Sequence, residues 1–119
     1  MGKTVLTVDD SDYMREIVSQ SLELGDFEVL QAINGVEALD VFKKNTVDLI
    51  VTDINMPEMD GITLITEIRK INDDVPILVL TTESGESLKK EALNAGADGW
   101  IVKPFQPAKF LSMIEEVMS

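Results

Sequence analysis

The sequence contains no cysteine among its 119 residues, so no disulfide can cross-link the fold. A chain of this length buries roughly two-thirds of its unfolded surface, which is enough for a core without disulfides or metals. The absence of cysteine also fits a reducing compartment. The N-terminal apolar run is too short for a signal peptide, and nothing approaches the ~18 apolar residues of a membrane span. We therefore expect one soluble, cytoplasmic domain over residues 1–119.

Basic side chains are scarce as well. The chain has 10 Lys and Arg against 22 Asp and Glu, which gives a formal net charge of -12. Such a surface repels a phosphate backbone, so neither DNA nor RNA is an expected partner. The acidity suits solubility, and it also suits the attraction of a cation or of a basic protein surface.

Short β-branched runs alternate with stretches that have apolar residues at helical spacing. The runs predict strands at residues 4–8, 27–32, 48–52, 76–80 and 99–102. Ser11 or Asp12 can cap the first of the five predicted helices, while Gly25 and Gly96 stop the first and fourth. Strict alternation implies parallel strands with right-handed crossovers and helices on both faces. The predicted fold is α/β, with a doubly wound five-stranded parallel sheet.

Polar residues follow four of the predicted strands, at the sheet edge where open α/β sheets bind ligands. They are Asp9 and Asp10 after the first strand, Asp53 after the third, Thr81 and Thr82 after the fourth, and Lys103, itself followed by Pro104, after the fifth. The second strand is instead followed by Asn34 and Gly35, which predict a plain turn. Together these positions bring three carboxylates, a hydroxyl and one lysine to one edge.

Three carboxylates at one edge need a counter-charge. Two of them about 4 Å apart at an effective dielectric near 20 repel by roughly 4 kcal/mol, and Lys103 alone cannot neutralise three. Mg²⁺ prefers one or two carboxylates together with waters and a phosphate oxygen. Because Asp9 and Asp10 are adjacent, their side chains diverge, and we expect one to meet the metal directly and the other indirectly. The pattern predicts a site for magnesium and a phosphoryl group.

Asp53 stands alone after the apolar run 49–51, before a loop that contains Pro57 and Gly61. An aspartate carboxylate can accept a phosphoryl group as a covalent intermediate. Magnesium and Lys103 would neutralise charge on the transferring oxygens. We therefore predict that Asp53 is the phosphoacceptor.

Four segments carry a family resemblance: VLTVDDSDYMR, DLIVTDINMPEMDG, LVLTTESG and GADGWIVKPF. Over essentially the whole chain, they resemble the signature segments of the response-regulator receiver domain. The resemblance implies a flavodoxin-like (βα)5 fold with strand order 2-1-3-4-5 and a single receiver domain without an output domain. It implies a phosphoacceptor with self-phosphorylation and self-dephosphorylation activity rather than an enzyme, and it is strongest to the stand-alone chemotaxis regulators.

The resemblance also assigns the metal ligands. It implies that Asp10 binds Mg²⁺ directly and that Asp9 acts in the outer sphere. Asp53 and the backbone carbonyl of Asn55 would complete the protein ligands. Asn55 and Glu83 would flank the water that hydrolyses the phosphoaspartate.

A conformational switch is implied too. Thr81 and Lys103 would bind phosphoryl oxygens, and the peptide bond between Lys103 and Pro104 would be cis. Movement of Thr81 would let an aromatic residue of the fifth strand turn inward. That residue is Trp100 here, where Tyr or Phe is commoner, so a fixed apolar anchor stays an open alternative. Output would be read from the face of the fourth helix, fifth strand and fifth helix.

The implied partners are a histidine kinase, an output protein such as a flagellar switch component, and a phosphatase as a further candidate, with the chain itself a monomer. A phosphate sink or an adaptor outside chemotaxis are alternative roles. Asp10-Ser11-Asp12 also resembles the nucleophile motif of haloacid-dehalogenase-type phosphatases, but the chain is short for that fold, Met14 replaces its Thr or Val, and Asp53 is left unexplained. Flavodoxins share the architecture, yet this acidic first loop would repel the phosphate that theirs cradles.

Overall fold

The computed structural model describes residues 2–119, in which five strands alternate strictly with five helices. The strands β1 to β5 span Thr4–Val8, Glu28–Ala32, Leu49–Thr52, Ile77–Thr81 and Gly99–Val102. The helices α1 to α5 span Asp12–Leu24, Gly35–Lys44, Gly61–Ile71, Glu86–Ala95 and Pro107–Met118. The predicted alternation is confirmed, although Thr81 is the last residue of β4 rather than the residue after it. Within this range no helix combines the length and the apolar character that crossing a membrane requires.

The sheet has the order β2-β1-β3-β4-β5, and every neighbouring pair is parallel. This is the doubly wound α/β fold and the strand order that the resemblance implies. The register pairs Val8 of β1 with Thr52 of β3, so the residues that follow, Asp9 and Asp53, lie side by side. The central position of β1 and β3 therefore brings two of the predicted site residues together at the carboxyl edge.

Two apolar layers cover the sheet, one on each face. On one face, Ile50 of β3 packs with Leu64 and Ile68 of α3. On the other face, Val51 of β3 packs with Phe110 of α5. Neighbouring strand residues point to opposite faces, and both faces of β3 are covered, so the strand reads as a continuous apolar run. Each large apolar side chain buried in this way contributes about 1.5–3 kcal/mol, which gives the strand-end site a rigid support.

Helix ends agree with most of the predicted signals. Ser11 rather than Asp12 caps α1, since its side chain accepts a hydrogen bond from the amide of Met14 at 3.2 Å. Gly25 follows α1 and Gly96 follows α4, as predicted. Gly96 has a φ of 125°, a conformation that side-chain-bearing residues rarely adopt.

The plain turn predicted at Asn34 and Gly35 is wrong. Asn34 is the N-cap of α2, because its Oδ1 accepts from the amide of Glu37 at 2.8 Å, and Gly35 is the first helical residue. A Cβ at Gly35 would lie 2.7 Å from the side chain of Met59, so glycine here permits close packing against the loop after β3. Asn is favoured both in turns and at helix caps, and the sequence pattern alone does not separate the two.

Candidate functional site

Three carboxylates converge at the carboxyl edge of the sheet. Asp9 follows β1 and Asp53 follows β3, and both are buried, whereas Asp10 is exposed. Each offers one oxygen atom, and these oxygens all lie within 4.8 Å of one another. The opposite exposure of Asp9 and Asp10 agrees with the expected divergence of adjacent side chains.

Lys103 joins two of these carboxylates from the far side of β4. Its Nζ donates to Asp9 Oδ2 at 2.7 Å and to Asp53 Oδ2 at 3.1 Å, and only 8% of the side chain is exposed. Asp10, in contrast, has no side-chain hydrogen bond or ion pair within residues 2–119. The lysine therefore balances the buried pair and leaves the exposed carboxylate unpaired.

Burial alone would lower the pKa of Lys103. The hydrogen bond from its ammonium to Asp9 and the negative charges of Asp53 and Asp9 outweigh that effect, so the pKa lies above the ordinary value. Lys103 is thus a protonated cation at neutral pH, and the cluster keeps an excess of negative charge. Even at 4.8 Å, the upper limit of the distances between these carboxylate oxygens, two negative charges repel by roughly 3.5 kcal/mol at an effective dielectric of 20.

This donor set fits a hard divalent cation. All of the candidate side-chain ligands are carboxylate oxygens, they are close together, and their charge exceeds what Lys103 supplies. Mg²⁺ takes such ligands while keeping waters and phosphate oxygens in its shell. The exposed carboxylate of Asp10 gives the cation a route in from solvent.

The carboxylate of Asp53 is held by the backbone amides of the two residues that follow it. Its Oδ1 accepts from the amide of Ile54 at 2.6 Å and, at a longer 3.4 Å, from the amide of Asn55. The amide of Asp53 donates to the carbonyl of Val8 at 3.0 Å, which extends the pairing of β3 with β1. With its other oxygen on Lys103, the side chain has one well-defined orientation.

Gly61 closes the loop after Asp53 and starts α3. Its amide donates to the carbonyl of Ile54 at 2.8 Å. A Cβ at this position would lie 2.8 Å from Ile54 Cα and 3.0 Å from the carbonyl carbon of Asp53, with the carbonyl oxygen closer still. Glycine is therefore required because the first turn of α3 packs directly on the backbone of the candidate phosphoacceptor.

The other predicted residues lie around this centre. Thr81 is fully buried, and its Oγ1 accepts from the amide of Glu83 at 3.3 Å. Asn55 Nδ2 donates to Glu83 Oε2 at 2.8 Å, so the two residues expected to flank a hydrolytic water contact each other. In the part of the chain that the structure describes, no hydrogen bond joins Thr81 to Asp53.

Trp100 and Pro104 lie on β5 and just after it. Trp100 is half-buried, packs against the apolar layer that contains α3, and lines a cavity of about 480 Å³ between β5 and α5. The peptide bond between Lys103 and Pro104 is cis, as the resemblance implies.

A second cavity of about 560 Å³ opens at the acidic centre. Its lining includes the polar side chains of Asp53, Thr82 and Lys103 and the aromatic side chains of Tyr13 and Phe105. The candidate phosphoacceptor is therefore reachable by another molecule despite its burial.

Among the contacts that sequence reasoning missed, one involves a residue it had not considered. Arg15 Nη1 donates to the main-chain oxygen of Asp9 at 2.7 Å. Arg15 stands at the end of the segment VLTVDDSDYMR, near the start of α1, and helical side chains point back toward the N-terminus. That position was a usable signal that the side chain reaches the loop before the helix.

The fold and the site together define the receiver class: a doubly wound sheet with aspartates after β1 and β3 and a lysine after β5. A sequence profile of the response regulator receiver domain matches residues 5–115. The chain therefore belongs to the response regulator receiver family, whose CheY-like members are signalling proteins. Receiver domains generally bind Mg²⁺, in agreement with the donor set described above.

Two chemotaxis proteins are similar to this chain over almost their whole length. The chain is 44% identical over 118 residues to a chemotaxis protein CheY homolog of Campylobacter jejuni, covering 96% of this chain and 91% of the relative. The structure of chemotaxis protein CheY4 of Vibrio cholerae matches with a TM-score of 0.94 at 39% identity, covering 98% of this chain and 99% of that one. Similarity also extends to the transcriptional regulatory protein PrrA of Mycobacterium tuberculosis, at 39% identity over 114 residues, covering 96% of this chain and 49% of that protein.

Proposed function

We propose that the chain is a response regulator receiver domain that accepts a phosphoryl group on Asp53 from the phosphohistidine of a kinase. The observation that supports this most directly is the state of the Asp53 carboxylate. It lies at the end of a buried strand, its Oδ1 is held by the amide of Ile54, and its Oδ2 faces a protonated Lys103. A carboxylate fixed beside a cation and open to a cavity is suited to in-line attack on phosphorus.

In the transfer, a carboxylate oxygen of Asp53 forms a bond to phosphorus. The P–N bond to the kinase histidine breaks, and its electron pair stays on the imidazole nitrogen. Lys103 donates hydrogen bonds to the phosphoryl oxygens and stabilises their charge. Magnesium held by Asp10 and Asp53 would supply further positive charge to these oxygens. In dephosphorylation, water attacks phosphorus, the Asp53 oxygen leaves as a carboxylate, and inorganic phosphate departs.

The hydrogen bonds support a division of roles among the metal ligands. Asp9 Oδ1 accepts from the amide of Ser11 at 2.9 Å while its Oδ2 accepts from Lys103, so both oxygens are engaged. Asp10 has a free, exposed carboxylate in the stretch from residue 2 to 119. Both oxygens of Asp53 are engaged in the same way, so the hydrogen bonds separate only Asp10 from the other two carboxylates. We therefore assign direct binding of Mg²⁺ to Asp10 on this observation, and direct binding to Asp53 and an outer-sphere role to Asp9 as the family resemblance implies. The backbone carbonyl of Asn55 is the proposed neutral ligand.

We further propose that phosphorylation is read at the face of α4, β5 and α5. Thr81 would move toward the phosphoryl group, and Trp100 would turn inward behind it. The cavity between β5 and α5 and the exposed Val102 give this face apolar surface for a partner protein. The chemotaxis names of the relatives covered almost end to end favour a flagellar switch component as that partner.

The phosphoacceptor is tested by mass spectrometry after incubation with a small phosphodonor or a phosphorylated kinase. Wild type should gain one phosphoryl group on Asp53 in Mg²⁺ and none in EDTA, and Asp53→Asn should gain none. The exposed Asp74→Asn is the matched control and should be labelled like wild type. Label on Asp10, with Asp53→Asn still accepting phosphate, would instead support the phosphatase-like interpretation.

A further inference from the structure

Arg15 ties the loop that carries Asp9 and Asp10 to two other segments. Besides the bond from its Nη1 to the Asp9 carbonyl at 2.7 Å, its Nε donates to Gln31 Oε1 on β2 at 3.1 Å, and its Nη2 pairs with the carboxylate of Asp12. Only 11% of the side chain is exposed. One planar guanidinium therefore contacts three acceptors on the loop, β2 and α1.

The bond to the Asp9 carbonyl has a consequence for the next residue. The carbonyl oxygen of Asp9 and the amide nitrogen of Asp10 belong to one planar peptide unit. When the oxygen is held, the peptide plane before Asp10 is held, and the amide of Ser11, which donates to Asp9 Oδ1 at 2.9 Å, holds the peptide plane after it. With both planes held, the direction in which the side chain of Asp10 leaves the backbone is fixed. Since Asp10 makes no side-chain hydrogen bond in residues 2–119, its carboxylate is oriented through the backbone alone.

We propose that Arg15 is a positioning residue for the metal site and acts through the Asp9–Asp10 peptide plane. The proposal rests on the proposed function, because it needs Asp10 as a metal ligand. Arg15 does not touch the cation or the phosphoryl group. Its role is to keep the Asp10 carboxylate aimed at the point where the oxygens of Asp9 and Asp53 converge.

Positioning can be separated from charge because the two effects on Mg²⁺ binding have opposite signs. A cation beside the carboxylates disfavours a second cation, so removal of the charge of Arg15 alone would tighten Mg²⁺ binding. Loss of the orienting bonds would weaken it. Lysine keeps the charge but not the planar fork that reaches three acceptors at once.

The test is the Kd of Mg²⁺ for the unphosphorylated protein, measured by titration calorimetry. Arg15→Lys should raise the Kd about tenfold, the lower end of what changes behind a metal ligand cost. Arg15→Met should raise it as well, despite the loss of the repelling charge. Gln31→Ala removes one anchor at an exposed strand position, and it should give a smaller rise even if the Arg15 variants fold poorly.

Arg69 offers a matched control at the opposite end of the sheet. Its side chain is 17% exposed and, like that of Arg15, donates to main-chain carbonyls, those of Gly96 and Val75. Arg69→Lys should lower stability while leaving the Kd of Mg²⁺ within about twofold of wild type.

The outcomes separate the two proposals. If wild type itself fails to bind Mg²⁺, the proposed function fails and the role of Arg15 fails with it. If wild type binds and Arg15→Lys binds equally well, the positioning role alone is overturned. Tighter binding by Arg15→Met would overturn it too, since that result indicates an effect of charge only.

Discussion

Substitution of Gly61 by alanine should be among the most damaging single-methyl changes in this protein. The added Cβ would lie 2.8 Å from Ile54 Cα and 3.0 Å from the carbonyl carbon of Asp53, whereas ordinary contacts begin at 3.4 Å. The clashing atoms belong to backbone that is fixed by the bonds from Gly61 to Ile54 and from Asp53 to Val8. Neither segment can yield without breaking a hydrogen bond or moving Asp53.

The cost can be worked out from these contacts. Overpacking typically costs about 1–3 kcal/mol, and a clash between backbone atoms belongs at the upper end. A lost hydrogen bond between Gly61 and Ile54 adds about 1 kcal/mol. We expect Gly61→Ala to lower the free energy of unfolding by about 3–4 kcal/mol, a large fraction of the ~5–15 kcal/mol of a typical domain. The Tm should fall by roughly 10–15 °C.

Urea unfolding followed by far-ultraviolet circular dichroism measures the effect, and Gly85→Ala is the control. Nothing lies within 4 Å of a Cβ built at Gly85, so that variant should stay within about 1 kcal/mol of wild type. Displacement of Asp53 should also slow its phosphorylation by at least about tenfold under conditions where Gly61→Ala is folded. If Gly61→Ala unfolds within about 1 kcal/mol of Gly85→Ala, the steric account of this glycine is wrong.

Three further predictions concern the charged centre and the switch. The raised pKa of Lys103 means that its stabilising contribution is fully present below the ordinary value of 10.5 and is lost as pH rises through the higher folded value, so wild type should lose stability relative to Lys103→Met as pH rises above 10.5; a constant difference would contradict this. Replacement of Asn55 and Glu83 together by alanine should lengthen the phosphoaspartate lifetime about tenfold, the equivalent of one lost hydrogen bond to water, in a radiolabel decay assay; an unchanged rate would exclude them from the hydrolytic step. Acrylamide should quench the fluorescence of Trp100, the single tryptophan, less strongly after phosphorylation, and Thr81→Ala should reduce this change. Equal quenching in both states would indicate that Trp100 is a fixed apolar anchor.

The strands and their parallel arrangement could be predicted because the responsible signals are local, whereas the order 2-1-3-4-5 came from the family resemblance. The run 49–51 is apolar on both faces, which indicates a strand covered on both sides, and alternation with helices then dictates parallel pairing. The convergence of Asp9, Asp53 and Lys103 followed from that topology alone. The sheet edge was thus predictable from residue type and chain order.

Contacts that side chains make with other segments of the chain were harder to predict from the sequence. The position of Arg15 near the start of α1 indicates that its side chain reaches the preceding loop, but its bond to the Asp9 carbonyl also depends on the rotamer. The bond from Asn55 to Glu83 depends on how close two loops come, which residue spacing does not encode. The pairing of Lys103 with Asp9 as well as Asp53 has the same origin.

The lysine of the site comes late in the chain: Lys103 bonds Asp9 across 94 residues and Asp53 across 50. A ribosome adding roughly 5–20 residues per second needs several seconds to cover the interval after Asp53. During that time, a growing chain carries the acidic residues without the cation that arrives with β5. Because Lys103 follows β5, and β5 belongs to the proposed output face, an incomplete chain would lack the lysine and the docking surface together. Under the proposed function, it would neither accept a phosphoryl group efficiently nor bind an output partner prematurely.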